Sequence, residues 1–268
     1  MPRFSANISM LFKEVEFPER FEAVAQAGFK AVEIQFPYGW SKRQLGEIAQ
    51  RAGVEVVLIN IPAGDPDKGD RGIACLPSRV AEFREGVARA INYARALGCK
   101  QMNCLAGVAP PEVAGAKLRE TFVSNLRYAA GELARHGMTL LTEPVSTQAV
   151  PGFYLNASAQ ALALMDEADA ANLKLQYDLY HMRIMGDDLA ETLSANLHRI
   201  GAHTDRRRSG PARARNRRNR FSSPVRSDRP ARLSGLDRRG IRARRQDRGR
   251  FGVGEEILVS CTDSERVS

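Results

Sequence analysis

No apolar run in this sequence approaches the roughly 18 residues that a membrane-spanning helix needs, and the opening MPRFSANISMLFKEVEF has no charged-then-apolar leader pattern. A cytoplasmic protein with no membrane partner is therefore expected. Cysteine is scarce. Cys75, Cys99, Cys104 and Cys261 form no C-x-x-C pair and no disulfide-rich cluster, so free thiols in a reducing compartment are expected. No G-x-G-x-x-G follows the first strand-like run, which argues against a dinucleotide-binding open sheet, the main rival architecture. Lysine is missing from residues 201-268, although those residues carry 19 arginines. A net charge of +9 would ordinarily point to nucleic acid or an anionic surface as a partner. Its distribution argues otherwise: residues 1-200 hold 21 Lys+Arg against 23 Asp+Glu, a balance of −2, while 201-268 hold 19 against 8, a balance of +11. The positive excess belongs to the last quarter of the chain.

What is present is enough for one large core, since 43% of the 268 residues are hydrophobic. Residues 1-200 alternate short β-type runs with longer amphipathic ones, the rhythm of parallel strands joined by crossover helices. The strand-like runs are Arg3 to Ser9, Lys30 to Phe36, Glu55 to Asn60, Gln101 to Gly107, Thr139 to Val145 and Leu173 to His181. Helical stretches follow each: Pro18 to Ala27, a helix capped by Ser41, Ser78 to Leu97, Glu112 to Arg135, Ser158 to Ala168 and Asp187 to Arg199. Six βα units in 200 residues predict two more in a barrel of roughly 250 residues, an α/β fold of the (β/α)₈ TIM-barrel class.

In such a barrel the reactive side chains project from the C-terminal ends of the strands. Strand five ends in Thr142-Glu143-Pro144, and strand six in Tyr177-Asp178-Leu179-Tyr180-His181. Asn7, Glu33, Asn60 and Asn103 occupy comparable positions on earlier strands. Each has a plainer alternative. Glu143 would accept hydrogen bonds from nearby loops, Asp178 would cap a turn, His181 would be a structural histidine, and the asparagines would serve as turn partners. Two carboxylates on adjacent strand ends facing one mouth suit Mg²⁺ or Mn²⁺ better than zinc, which favours more His or Cys.

Several segments, SANISMLFKEVEFPERFEAVAQAGFKAVEIQFPYGW, INIPAGD, MNCLAG, TLLTEPV and YDLYHMRIMGDDL, resemble the hydroxypyruvate isomerase family, one of the xylose-isomerase-like TIM barrels. The resemblance runs over residues 3-200. It implies interconversion of hydroxypyruvate and tartronate semialdehyde through an enediolate, with Glu143 as one of two acid/base glutamates and a metal ligand. It also implies Asp178 as a second ligand and His181 beside the substrate. By their strand-end positions Asn7, Asn60 and Asn103 are the further candidates for substrate binding. A 2-oxo-tetronate isomerase or a sugar-acid epimerase is the alternative on this scaffold. The expected partners are a small 2-oxo or hydroxy acid and a second copy of the chain in a homo-oligomer, without nucleic acid.

The family's seventh strand carries H-I-Q-I-A-D, with a ligand Gln, and its eighth W-I-G-x-E-Y, with the second glutamate. Neither occurs here. With codons chosen freely and read one base later, Ala202 to Arg208 permits H-I-Q-I-A-D and Ser234 to Ile241 permits Y-R-G-W-I-G-A-E-Y. Arg213 to Phe221 permits H-E-P-G-T-G-E-I-D-F, and Asp247 to Gly254 permits T-E-D-G-L-G-W. Thr204 and Gly240 overlap the codons of the lost Gln and Glu. One inserted base near Gly201, real or a sequencing error, accounts for these ordered phrases. The chain therefore divides into an isomerase domain over 1-200 and an aberrant Arg-rich segment over 201-268. That segment is expected to be largely disordered, apart from Glu255 to Ser260. Open edges on strands one and six, poor solubility and no isomerase activity are expected to follow. The rival from another class reads the tail as an Arg-rich nucleic-acid arm, but only Phe221 and Phe251 there could stack on bases.

Overall fold

The computed structural model describes residues 3-207 and 257-262, with side chains over 4-202. Strands β1 (Arg3–Asn7), β2 (Ala31–Ile34), β3 (Glu55–Asn60), β4 (Gln101–Cys104), β5 (Thr139–Thr142), β6 (Leu173–Asp178) and β7 (Ile200–Arg207) pair in parallel and in sequence order. An eighth strand, β8 (Ile257–Thr262), closes the barrel. Helices α1 (Arg20–Gln26), α2 (Lys42–Ala52), α3 (Val80–Leu97), α4 (Gly115–Ala134) and α5 (Ser158–Ala168) each follow one of the first five strands. After β6 come α6 (Leu179–Ile184) and α7 (Leu189–Asn196). Among the described residues no helix is long and apolar enough to cross a membrane.

The period-2 alternation of the strands sorts their side chains between two cores. One face turns out to the helices, where Val32, Ile34, Met102, Leu140, Leu175 and Tyr177 pack with Phe21, Phe83 and Phe122. The other turns into the barrel, where Leu58, Leu141 and Ala202 from β3, β5 and β7 form a separate plug from odd-numbered strands. Both leucines are fully buried. Truncating one to alanine would cost about 2–5 kcal/mol, because a cavity would open where strands prevent collapse. The plug is the floor on which the polar mouth rests.

Several of the strand runs read from the sequence were too long. Strand β6 ends at Asp178 rather than His181, because the Asp178 carboxylate accepts the N–H groups of Tyr180 and His181 and starts α6 there. Strand β5 ends at Thr142, ahead of Pro144, which has no N–H for the ladder. The expected open edges are also corrected. Strand β7 pairs in parallel with β6, and β8 runs antiparallel to both β7 and β1, so strands one and six each have two neighbours. The reason is local: ILVSCT is a β-branched, apolar run inside an otherwise charged segment. Closure removes the ground on which poor solubility was expected. Of the segment 201-268 expected to be largely disordered, residues 201-207 belong to β7 and 257-262 to β8, and the remainder lies outside the described residues.

Three loops on the C-terminal face are stitched together by backbone. Cys75 N–H donates to the Ala106 carbonyl (2.9 Å), Tyr154 N–H to Gly107 (2.8 Å) and Ala109 N–H to Gly152 (2.9 Å). Single antiparallel bridges join Gly72 to Ala106 and Val108 to Phe153. Gly72 and Gly107 stand back to back with φ of 124° and 101°, and a Cβ on Gly72 would lie 2.5 Å from the Leu105 carbonyl oxygen. Only glycine permits that approach.

Candidate active site

The strand ends place one polar residue after another around the mouth. Asn7 of β1 is in register with Glu33 of β2, and Asn60 of β3 with Asn103 of β4. All four are buried. Glu143 follows the last residue of β5, and Asp178 closes β6 at the level of Thr204 on β7.

Four of the residues singled out in the sequence meet. The Asn103 amide Nδ2 donates to Glu143 Oε2 at 2.8 Å in a buried contact. His181, in the first turn of α6, brings Nε2 to 3.9 Å from Asp178 Oδ2. One ligand atom each from Glu143, Asp178 and His181 lie within 4.8 Å of one another, and all three residues are buried. Asp178 caps α6 through Oδ1, which accepts from Tyr180 N–H at 2.8 Å and His181 N–H at 3.2 Å, and this leaves Oδ2 facing His181.

Asn7 and Asn60 stand at the mouth without joining this cluster. The Asn7 side-chain oxygen accepts the Ser9 N–H at 3.0 Å, the local turn role. The Asn60 backbone oxygen accepts from the Tyr38 hydroxyl at 2.5 Å. The residue missed in the sequence is Ser146, three positions after Glu143. Its hydroxyl, fully buried, lies 3.2 Å from His181 Nδ1. No pattern in the loop flags it, since its partner is 35 residues away.

The donor set fits a divalent cation. Two carboxylates held close together in a low-dielectric site repel one another, and a hard cation between them removes that cost. The Asn103 side-chain oxygen is also buried without a hydrogen-bond partner among the described residues, a polar atom beside Glu143 that the described protein leaves unmatched.

Residues 21–217 match the family described as the xylose isomerase-like TIM barrel. The chain belongs to that family. Within the xylose isomerase-like barrels it is similar to the hydroxypyruvate isomerase of Escherichia coli, with 48% identity over 201 residues covering 75% of this chain and 78% of that protein. It is 40% identical to the 2-oxo-tetronate isomerase of Cupriavidus necator, over 75% of this chain and 77% of that one. Among solved structures it resembles a Brucella melitensis protein described as an AP endonuclease of family 2, at 38% identity and a TM-score of 0.73, covering 75% and 78% of the two chains. Its curated relatives are isomerases, and the chain is an enzyme of that class.

Proposed function

We propose that this chain is by descent a hydroxypyruvate isomerase, moving a carbonyl between adjacent carbons of a small 2-oxo or hydroxy acid in the cytoplasm. The observation that carries the reading is the convergence of Glu143, Asp178 and His181 at one buried point of the barrel mouth. Hydroxypyruvate becomes tartronate semialdehyde when a proton leaves C3, an enediolate forms across C2 and C3, the C3 hydroxyl proton passes to O2, and a proton returns at C2. The Glu143 carboxylate takes the carbon-bound proton, and the Asn103 amide fixes its orientation by holding Oε2. Asp178, held by its capping bonds, keeps one oxygen turned to the site. His181 lies beside the substrate. Glu143 and Asp178 would hold Mg²⁺ or Mn²⁺, which when bound supplies positive charge against the oxyanions of substrate and intermediate. In this reading Asn7 and Asn60 serve as substrate contacts around the rim, which their burial at the strand ends supports.

Under this reading residues 1-200 are the isomerase scaffold and residues 201-268 do not supply the second acid/base glutamate or the ligand glutamine. The chain as written is expected to show no turnover. A frame-restored version is expected to isomerise hydroxypyruvate, and its Glu143→Gln variant to lose at least about 10²-fold in kcat. Full turnover by that variant overturns the assignment of Glu143. The 40% identity to a 2-oxo-tetronate isomerase supports a second reading, with a substrate one carbon longer. Relative kcat/KM of the frame-restored protein on the three- and four-carbon acids decides between the two.

A further inference from the structure

Ser146 has the attributes of a positioning residue, and its target is the ring of His181. The Ser146 side chain is completely buried in the loop between β5 and α5. Its Oγ has two described contacts: the Ala149 N–H, which reaches it at 3.3 Å, and His181 Nδ1 at 3.2 Å. The Ala149 N–H also donates to the Ser146 carbonyl at 3.0 Å, so the hydroxyl oxygen receives the weaker half of a shared bond.

A serine hydroxyl has one hydrogen to give and two lone pairs to receive. Ala149 occupies a lone pair and offers nothing that would accept. The hydroxyl hydrogen therefore has one described acceptor within reach, His181 Nδ1, and a buried donor left unmade is costly. In a neutral imidazole one nitrogen accepts and the other carries the proton. If Nδ1 accepts from Ser146, the proton sits on Nε2, the nitrogen 3.9 Å from Asp178 Oδ2.

We propose that Ser146, by donating to Nδ1, holds His181 in the tautomer with hydrogen on Nε2, making the ring a hydrogen-bond donor to the substrate and withholding it as a metal ligand. The inference rests on the function proposed above and deepens it. Geometry alone leaves His181 two roles, because its ring nitrogen lies within 4.8 Å of both carboxylates. A protonated Nε2 has no lone pair for a cation, so ligation falls to Glu143 and Asp178. A donor beside them suits a substrate oxygen on which negative charge develops.

The test reads the tautomer directly and needs no turnover. The full chain, labelled with ¹⁵N-histidine, is examined by two-bond ¹H–¹⁵N correlation at about pH 8, where an ordinary imidazole is neutral. The His181 signals are assigned by their loss in His181→Gln. The expected result is a bare Nδ1 and a protonated Nε2, with the ratio of the two tautomers about fivefold higher than in Ser146→Ala, the factor that a buried hydrogen bond of ordinary strength contributes. Ser146→Ala should lower the Nε2–H to Nδ1–H ratio by about that factor, and Ser146→Thr, which keeps the hydroxyl, should restore it. Added Mg²⁺ should leave Nε2 protonated in the wild type. A proton on Nδ1 in the wild type, an unchanged tautomer in Ser146→Ala, or loss of the Nε2 proton on Mg²⁺ binding overturns the proposal. Should Ser146→Ala not fold, Ser146→Cys, a much poorer donor of similar size, takes its place. Failure here leaves the Glu143→Gln result untouched, so the tautomer and the isomerase reading fail separately.

Discussion

Glu143 and Cys104 illustrate how the barrel treats ionisable side chains according to what they meet. Glu143 is buried but receives an amide hydrogen bond and shares its space with another carboxylate and an imidazole. The thiols are buried among apolar atoms. Burial pushes the Cys75 and Cys99 thiols up from their ordinary value to about 12, and Cys104 and the Tyr38 phenol upward as well. An unfolded chain releases these protons at ordinary thiol values, while the folded chain keeps them. Their contribution to stability is complete below about pH 9 and is lost as pH rises toward 12. Urea midpoints measured from neutral pH to about pH 10.5 should therefore fall. A Cys75→Ala, Cys99→Ala double variant should fall less steeply, and an identical slope would contradict the assignment.

At the scale of elements, the junction from β6 to α6 carries most of the information. One oxygen of Asp178 satisfies two backbone donors of the helix start, while the other faces the site. These two duties can be separated by substitution. Asp178→Asn keeps a capping oxygen, so it is expected to retain stability within about 0.5 kcal/mol while losing most of its Mn²⁺ affinity. Asp178→Ala should lose the cap as well, about 1 kcal/mol. Denaturant unfolding and metal titration of the pair check both outcomes, and equal stability losses in the two would refute the capping role. The same junction explains why LKLQYDLYH predicts a strand through His181 while β6 stops at Asp178. The run is apolar and aromatic enough for a strand, and its helix start rests on hydrogen bonds that only a cap reveals.

For the molecule as a whole, closure depends on a short strand from the far end of the chain. Strand β8 pairs with β7 over six residues and with β1 over four. Without it, β7 and β1 would present unpaired backbone donors and acceptors, which invite association with other chains. A chain ending at residue 256 is expected to aggregate or to unfold at lower denaturant than the full chain. Light scattering and urea titration of the two test this, and indistinguishable behaviour would mean that the barrel does not rely on β8. On the outward face of β1, Phe4 is 53% exposed, whereas Val32, Ile34, Met102, Leu140, Leu175 and Tyr177 on the outward faces of neighbouring strands are buried against helices.

The order of βα units, the barrel class and the candidates Glu143, Asp178, His181 and Asn103 were legible in the sequence. Hydrophobic period, turn chemistry and strand-end polar residues are local properties, and a parallel barrel sends every strand end to one face. Three things were decided only in three dimensions: that Asn103 reaches Glu143 while Asn7 turns back to Ser9, that Ser146 meets His181, and that β8 returns antiparallel to shut the barrel. Each is a pairing between groups whose separation in the chain bears no relation to their separation in space, so no local pattern encodes it.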